Sequence, residues 1–370
     1  MSAASVGELA VTGVGVVSPW GDTADVASAA GGAPMPRAGD WFDHRERLGP
    51  RGYKYLPAAA QYALAAARGA LADRGRPDAV PADRRGLLLA TNAGLAGLFE
   101  AMDATVAESG AAGISPASAP YFAVNVLGNR LAVELALNGF ALTVATARTA
   151  AVDALSTGAL VLASGRADSL VLAAAEEPVP DGRGGGGEQG AAVLTLESPA
   201  GARARGSAVR ATLRARSLFV PPAALADAAG RSRADRMLTA ALAELTAPTD
   251  PSVGVHLDLD GSPVAEAVAS AVVAVIARQP ADGAPTGSPA GPGPADGPPA
   301  PAHGSPPDRL PRTGCLGPAL AVAHAVTVGD GAGRLVVCAT GAGHVAVVRV
   351  SPQTAHVPRT APPHTGAGAC

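Results

Sequence analysis

The sequence predicts a duplicated α/β fold. Short apolar runs with the length of strands alternate with segments of helical spacing, and the second half of the chain repeats this order more weakly. Such alternation is typical of layered α/β domains with a largely parallel sheet. With 370 residues and 48% apolar content, the chain can bury a large core as one large or two fused domains.

The first half contains the more regular series of elements. Glu8 to Val17 is predicted as a buried strand because it is apolar and β-branched and breaks at Ser18-Pro19-Trp20-Gly21. Tyr55 to Asp73 carries apolar residues at helical spacing and is predicted as an amphipathic helix. The other strands predicted here are Gly86 to Thr91, Leu142 to Thr146, Ser169 to Ala175 and Ala191 to Glu197, and the other helices are Leu95 to Ala107 and Ala150 to Gly165.

The second half is predicted to hold three strands and two helices. The strands are Val253 to Leu259, Leu335 to Ala339 and Val345 to Val350, and the helices are Val264 to Arg278 and Pro318 to Val328. Residues 279–309 are mostly Pro, Gly, Ala, Ser and Asp, so they are predicted to be a disordered loop, with a proline-motif ligand as the alternative. We predict an N-terminal half at 1–245, a C-terminal half at 246–351 and a flexible tail at 352–370.

Composition excludes several classes of function. The net charge of −3 and pI near 6.2 provide no basic field for nucleic acid or an anionic membrane. Cys315, Cys338 and Cys370 lack metal-ligand spacing, so neither a disulfide framework nor a zinc site is expected, and no cofactor is predicted. The most apolar stretch, 158–175, is interrupted by Arg166 and Asp168, and the N-terminus has no signal-peptide pattern, so we expect a cytoplasmic protein.

The most informative segment is 138–155, where an apolar strand runs into a tight turn and then a helix. Such a turn aims one side chain at a helix N-terminus, where backbone N–H groups stabilise a thiolate or an oxyanion. Arg148 stands at that position, and arginine is neither a nucleophile nor a base at any useful pH. The alternative is that Arg148 is a surface residue of an ordinary helix.

Several motifs resemble the β-ketoacyl synthases of the thiolase superfamily, and more narrowly the chain-length factors of type II polyketide synthases. The run from Val11 to Gly21 is similar to the N-terminal signature, and Gly187-Glu188-Gln189-Gly190 is similar to a scaffold turn that enters a strand. The resemblance covers about residues 8–278 and 310–350. It implies a thiolase-like duplicated fold with α-β-α-β-α layers.

The resemblance also implies that the site is not catalytic. Arg148 lies at the position of the reactive cysteine, and Asp258 and Cys315 lie at those of the two histidines. Chain-length factors usually carry glutamine at the first position, so Arg148 departs even from that branch. A shift of register could instead bring His256 into the site, since it lies two residues before Asp258 on the same strand face.

A buried guanidinium without a partner would be very costly. We therefore predict that Arg148 contacts Asp258. Cys338 is predicted to be a buried free thiol, and His324 and His344 to be ordinary core or loop residues. The loop Thr340 to His344 resembles a glycine-rich synthase loop without its gating phenylalanines.

The implied function is that of a non-catalytic subunit that pairs with an active ketosynthase and receives intermediates on an acyl carrier protein. Ala96, Phe99 and Asp103 share one helix face and are candidates to line the acyl-chain pocket, with Phe99 as its bulky stop or, alternatively, as a core residue. Two other functions stay open: an acyltransferase or malonyl decarboxylase, and a dead scaffold that binds a carrier protein.

Overall fold

The computed structural model describes residues 7–25, 41–74, 80–179, 188–246, 253–277, 314–328 and 331–353. The predicted loop 279–309, Gly187, Cys370 and all but the first two residues of the predicted tail 352–370 lie outside the described residues.

Nine strands form one sheet in the described part of the chain, in the order β3-β2-β4-β5-β1-β6-β9-β8-β7. They are β1 (Leu9–Val17), β2 (Arg85–Ala90), β3 (Ala141–Val144), β4 (Ser169–Glu176), β5 (Gly190–Glu197), β6 (Ala211–Phe219), β7 (Gly254–Leu259), β8 (Arg334–Ala339) and β9 (His344–Pro352). The nine helices that accompany them are α1 (His44–Arg47), α2 (Ala58–Arg74), α3 (Ala96–Ser109), α4 (Asn125–Glu134), α5 (Ala150–Ala163), α6 (Pro199–Ala204), α7 (Ala228–Leu245), α8 (Pro263–Ile276) and α9 (Leu316–Thr327). Short 3₁₀ turns lie between some of these elements.

The sheet is mixed, so the expectation of a largely parallel sheet is wrong. Only the pairs β2–β3, β2–β4 and β7–β8 are parallel. The other five pairs are antiparallel. The four residues between β8 and β9, 340–343, are too few for a helical crossover, and strands joined by so short a connection pair antiparallel.

The two halves of the sheet repeat one pattern and enclose a shared helical layer. Counted outward from the central pair of β1 and β6, the strands of the first half follow the order β1-β5-β4-β2-β3, and those of the second half follow the order β6-β9-β8-β7. Helices α5 and α9 pack between the halves in one core, α2 and α4 cover the outer face of the first half, and α7 and α8 cover that of the second. This is the predicted duplicated α-β-α-β-α arrangement.

Five elements were not predicted from the sequence: α1, α4, α6, α7 and β6. Strand β6 joins the two halves by pairing with both β1 and β9. Leu238, Leu242 and Leu245 of α7 pack in the core of the second half. The proposed limit at residue 245 therefore places β6 and α7 in the N-terminal half, whereas α7 packs with the C-terminal strands.

No helix in the described ranges is both long and apolar enough to cross a membrane.

Candidate functional site

Arg148 lies in the turn between β3 and α5 and has a strained backbone. Its φ is 60°, and Ala136 is the other non-glycine residue with positive φ in the described part of the chain. A side chain with a Cβ rarely adopts this left-handed conformation, which costs on the order of 1–3 kcal/mol and is concentrated at functional sites. The Arg148 side chain is only 6% exposed. It is therefore a buried elbow residue and not a surface arginine.

The guanidinium of Arg148 forms an ion pair with the carboxylate of Asp258 at the end of β7. Both side chains are at least nine-tenths buried. The contact predicted from the sequence is confirmed, and Asp258 rather than His256 supplies it. The carboxylate of Asp258 compensates the positive charge of Arg148. The positive end of the α5 dipole therefore faces a neutralised ion pair and not an isolated cation.

A second carboxylate, Asp260, lies close enough to sense Arg148. Burial opposes its ionisation, but the Ser262 hydroxyl, the backbone N–H groups of Gly341 and Ser262 and the charge of Arg148 together hold its pKa below the ordinary value. The N–H of Gly341 donates to Asp260 Oδ2 at 2.6 Å. This bond ties the glycine-rich loop after β8 to the end of β7.

Hydroxyl groups fix the turn on its other side. Thr146 and Thr149 donate to Asp153 Oδ2 at 2.9 and 2.8 Å, and Ser217 of β6 donates to Asp153 Oδ1 at 2.6 Å. Asp153 lies in the first turn of α5, where a carboxylate interacts favourably with the helix dipole. Thr146 and Thr149, on either side of Arg148, are therefore held by one carboxylate, which was not predicted from the sequence.

Two glutamates bind the N-terminus of α9. Glu188 accepts the N–H groups of Leu316 and Gly317 at 2.8 and 3.1 Å. Glu176, at the end of β4, accepts the N–H of Cys315 at 2.8 Å. Glu188 thus does more than form a turn, because it satisfies donors that the helix itself cannot pair.

Glu176 also organises the first half of the molecule. It accepts the N–H groups of Asn92 and Ala93, at 2.8 and 2.7 Å, in the loop that leads from β2 to α3. A glutamate that ends an apolar strand was the available sequence signal for this role.

Cys315 faces this acidic environment and is fully buried. Burial, together with the charges of Glu176 and Glu188, raises the pKa of its thiol well above the ordinary value. Burial raises the pKa of Cys338 to about 12. Neither thiol in the described ranges is activated, since a reactive cysteine needs a lowered pKa.

Gly317 places the N-terminus of α9, and with it Cys315, next to the ion pair. A Cβ on Gly317 would lie 2.7 Å from Asp258 Oδ2 and 2.9 Å from Glu188 Oε1. The first turn of α9 therefore abuts Asp258, so the three positions Arg148, Asp258 and Cys315 surround one small region where the two halves meet.

The pocket candidates Ala96, Phe99 and Asp103 lie on α3, which begins near the same edge of the sheet. Met102 is the one buried side chain of this helix, and Phe99 is 36% exposed. Phe99 is therefore not a core residue. A cavity of about 390 Å³ lies at the first turn of α3, against Gly97, Leu98, Tyr121 and Glu177.

His324 and His344 make their contacts away from the ion pair. His324 Nδ1 lies 3.0 Å from Asp25 Oδ1 at the surface. His344 packs edge-on against Phe219 with ring centroids 5.5 Å apart. Both are accounted for by local packing.

Comparison with known proteins adds the family. Residues 18–206, about half of the chain, match the family model "Beta-ketoacyl synthase, N-terminal domain". A search of curated protein sequences found no significant match.

Three solved structures are similar over 94% of this chain. A type II polyketide synthase acyl-carrier protein in complex with its ketosynthase bound to the hexaketide (AntDE:AntF) gives a TM-score of 0.67 at 18% identity over 100% of that chain. The ishigamide ketosynthase/chain length factor gives 0.65 at 19% identity over 99% of that chain. The oxazolomycin ketosynthase domain OzmH KS8 of Streptomyces albus JA3453 gives 0.61 at 17% identity over 96% of that chain.

At these identities the solved structures share the fold, and the family model assigns the lineage. The duplicated layers agree with both. This chain belongs to the beta-ketoacyl synthase family.

Proposed function

We propose that this chain is a non-catalytic ketosynthase-like subunit, a chain-length factor, that pairs with an active ketosynthase of a type II polyketide synthase and shapes its acyl-chain pocket. The buried Arg148–Asp258 ion pair is the observation that carries the proposal. It occupies the elbow at which this family places its nucleophile.

The chemistry of condensation supports this conclusion. An acyl chain must be held as a thioester on a thiolate, and polar donors must stabilise the oxyanions that form. Arg148 cannot hold an acyl group, and the two thiols in the described part of the chain have raised pKa values. Because Asp258 neutralises Arg148, the guanidinium is not a ready site for a substrate carboxylate either, which disfavours a malonyl decarboxylase.

An open edge of the sheet supports a protein partner. β3 is the outermost strand on its side and, among the described residues, pairs only with β2. Exposed apolar side chains lie on β3, on α4 and just before α4. They are Leu142, Val133, and the pair Phe122 and Val124. Soluble chains rarely leave an edge strand flanked by apolar side chains uncovered, so this edge is where we place the ketosynthase.

Phe99 is the side chain that we assign to the pocket. It projects from a helix whose other side chains are mostly exposed and that starts at the same sheet edge as the elbow. We propose that it faces the partner and limits the growing acyl chain, which an acyl carrier protein delivers. We place the complex in the cytoplasm.

The test is co-expression with an intact ketosynthase encoded nearby, followed by size exclusion with mass analysis and an assay with malonyl-loaded carrier protein. We expect a one-to-one complex whose activity requires the ketosynthase cysteine and survives the replacement of Arg148 and Asp258 together by Met and Leu. Phe99→Ala should lengthen the product, whereas Val106→Ala, two turns further along α3, should leave it unchanged.

A different outcome would identify one of the other functions. If the chain stays alone and turns over malonyl carrier protein unaided, it is an enzyme. If it binds carrier protein but forms no complex with the ketosynthase, it is a scaffold.

A further inference from the structure

Glu177 follows directly after β4 and has no role in the ion-pair site. Its side chain points to the other side of the sheet, toward the N-termini of α2 and α3. The residue is only 5% exposed.

One carboxylate here serves two helices. Glu177 Oε1 accepts the N–H of Gly97, in the first turn of α3, at 2.9 Å. The N–H groups of Ala58 and Ala59, which begin α2, donate to the same carboxylate. Neither helix has an acidic residue in its own first turn, and Leu95, the residue before α3, provides no side-chain cap. Glu177 is therefore the shared cap of both helices.

The two helices are anchored very differently. Nine side chains of α2 are buried, whereas α3 buries only Met102 over 14 residues. The position of α3 therefore depends strongly on its first turn. The cavity of about 390 Å³ lies at this junction and is lined by Glu177, Gly97 and Ala58.

We propose that Glu177 is a proton-controlled latch that holds the first turn of α3 against α2, and that its ionisation lets α3 move away and open the cavity. This inference is independent of the proposed function, because it concerns the movement of one helix and not the partner or the reaction.

The direction of the switch follows from the surroundings of the carboxyl. Burial, only partly offset by the three N–H donors, and the nearby charge of Glu176 raise the pKa of Glu177 from 4.5 to about 7. In turn, burial and the charge of Glu177 raise the pKa of Tyr62 on α2 to about 12. The titratable side chains that line the cavity are Lys54, Tyr55, Tyr121 and Glu177.

The closed state therefore prefers the neutral acid, and the open state, in which water reaches the carboxyl, prefers the anion. Stability of the closed state is present below the ordinary pKa and is lost as the pH rises through about 7. Between about pH 5.5 and about pH 8, the two pKa values imply an increase of roughly 30-fold in the population of the open state.

Hydrogen exchange on the full chain tests this directly. We expect the protection factors at residues 96–100 and at 58–60, corrected for intrinsic exchange, to fall together by roughly 30-fold between about pH 5.5 and about pH 8. Glu177→Gln, a neutral isostere, should keep both segments closed at every pH. Glu108→Gln, at the exposed end of α3, should behave like the parent chain.

Protection that is independent of pH in the parent chain, or pH dependence that persists in Glu177→Gln, overturns the latch. If Glu177→Gln does not fold, the test is whether residues 96–100 and 58–60 of the parent chain lose protection together as the pH rises. Opening of residues 96–100 without residues 58–60 would then contradict a shared cap.

Discussion

Arg148 and Asp258 form a buried ion pair that joins the elbow before α5 to the end of β7, and so joins the two halves of the duplicated fold. A charge on one half is thus paired with an opposite charge on the other half. This relationship gives the site a structural role.

Breaking the pair from one side should be costly. We expect Asp258→Ala to lower the free energy of unfolding by about 3–5 kcal/mol, because it takes the ion-pair carboxylate away from a buried guanidinium. Replacing Arg148 by Met and Asp258 by Leu together should recover most of that loss. Urea denaturation measures both effects.

The matched control is the exposed pair of Arg84 and Asp168. Asp168→Ala should cost less than about 1 kcal/mol, since exposed ion pairs contribute little. Equal costs for the single and the double replacement at Arg148 and Asp258 would show that the pair is not charge-coupled.

Two glycines on helices should respond oppositely to alanine. Gly317→Ala should destabilise the chain by about 1–3 kcal/mol, because the new methyl group would meet Asp258 and Glu188. Gly69→Ala in α2 should stabilise it by about 0.5–1 kcal/mol, since a Cβ there makes only an ordinary contact 3.8 Å from Gly15 and alanine favours the helix. Thermal or urea unfolding distinguishes the two, and stabilisation by Gly317→Ala would contradict the packing of α9 against Asp258.

The thiols of Cys315 and Cys338 should resist alkylation in the folded chain. Both are buried and both have raised pKa values, so the thiolate fraction is very small. Peptide mass spectrometry after treatment with iodoacetamide at about pH 8 should find them labelled only when urea is added. Rapid labelling of Cys315 in the folded chain would show that it is a usable nucleophile.

The open edge at β3 gives a prediction for assembly. Leu142→Asp should abolish the complex with the ketosynthase, because Leu142 is 40% exposed on this edge and a charge would have to be buried there. Val273→Asp is the control, since Val273 is 62% exposed on α8 at the far side of the C-terminal half. Size exclusion of the co-expressed proteins measures both, and a complex that tolerates Leu142→Asp would exclude β3 from the interface.

Much of the fold was predictable because local patterns agree with it. The strand at β1 and the helix at α5 were predicted to within one or two residues, since continuous apolar runs with clear turn signals define them. β6 was missed because Arg214 and Arg216 alternate with its buried residues. That alternation is itself the signal of a strand with one buried face.

The site could be predicted from the sequence only where a residue is chemically unusual for its position. Arginine at an elbow required an anion nearby, which led to Asp258. Glu176 and Asp153 were missed because their donors in distant segments, at Asn92, Ala93 and Cys315 for Glu176 and at Ser217 for Asp153, leave no spacing pattern in the sequence. The direction of β9 was missed because the short connection before it, residues 340–343, was not used as a signal.

With Arg148 at the elbow, we expect that this chain never carries the acyl group, and intact mass analysis measures this. The complex with the ketosynthase is incubated with acyl-loaded carrier protein, and the two chains are separated and weighed. We expect the acyl mass on the ketosynthase alone, and on neither chain when the ketosynthase cysteine is replaced. An acyl adduct on this chain would contradict the claim.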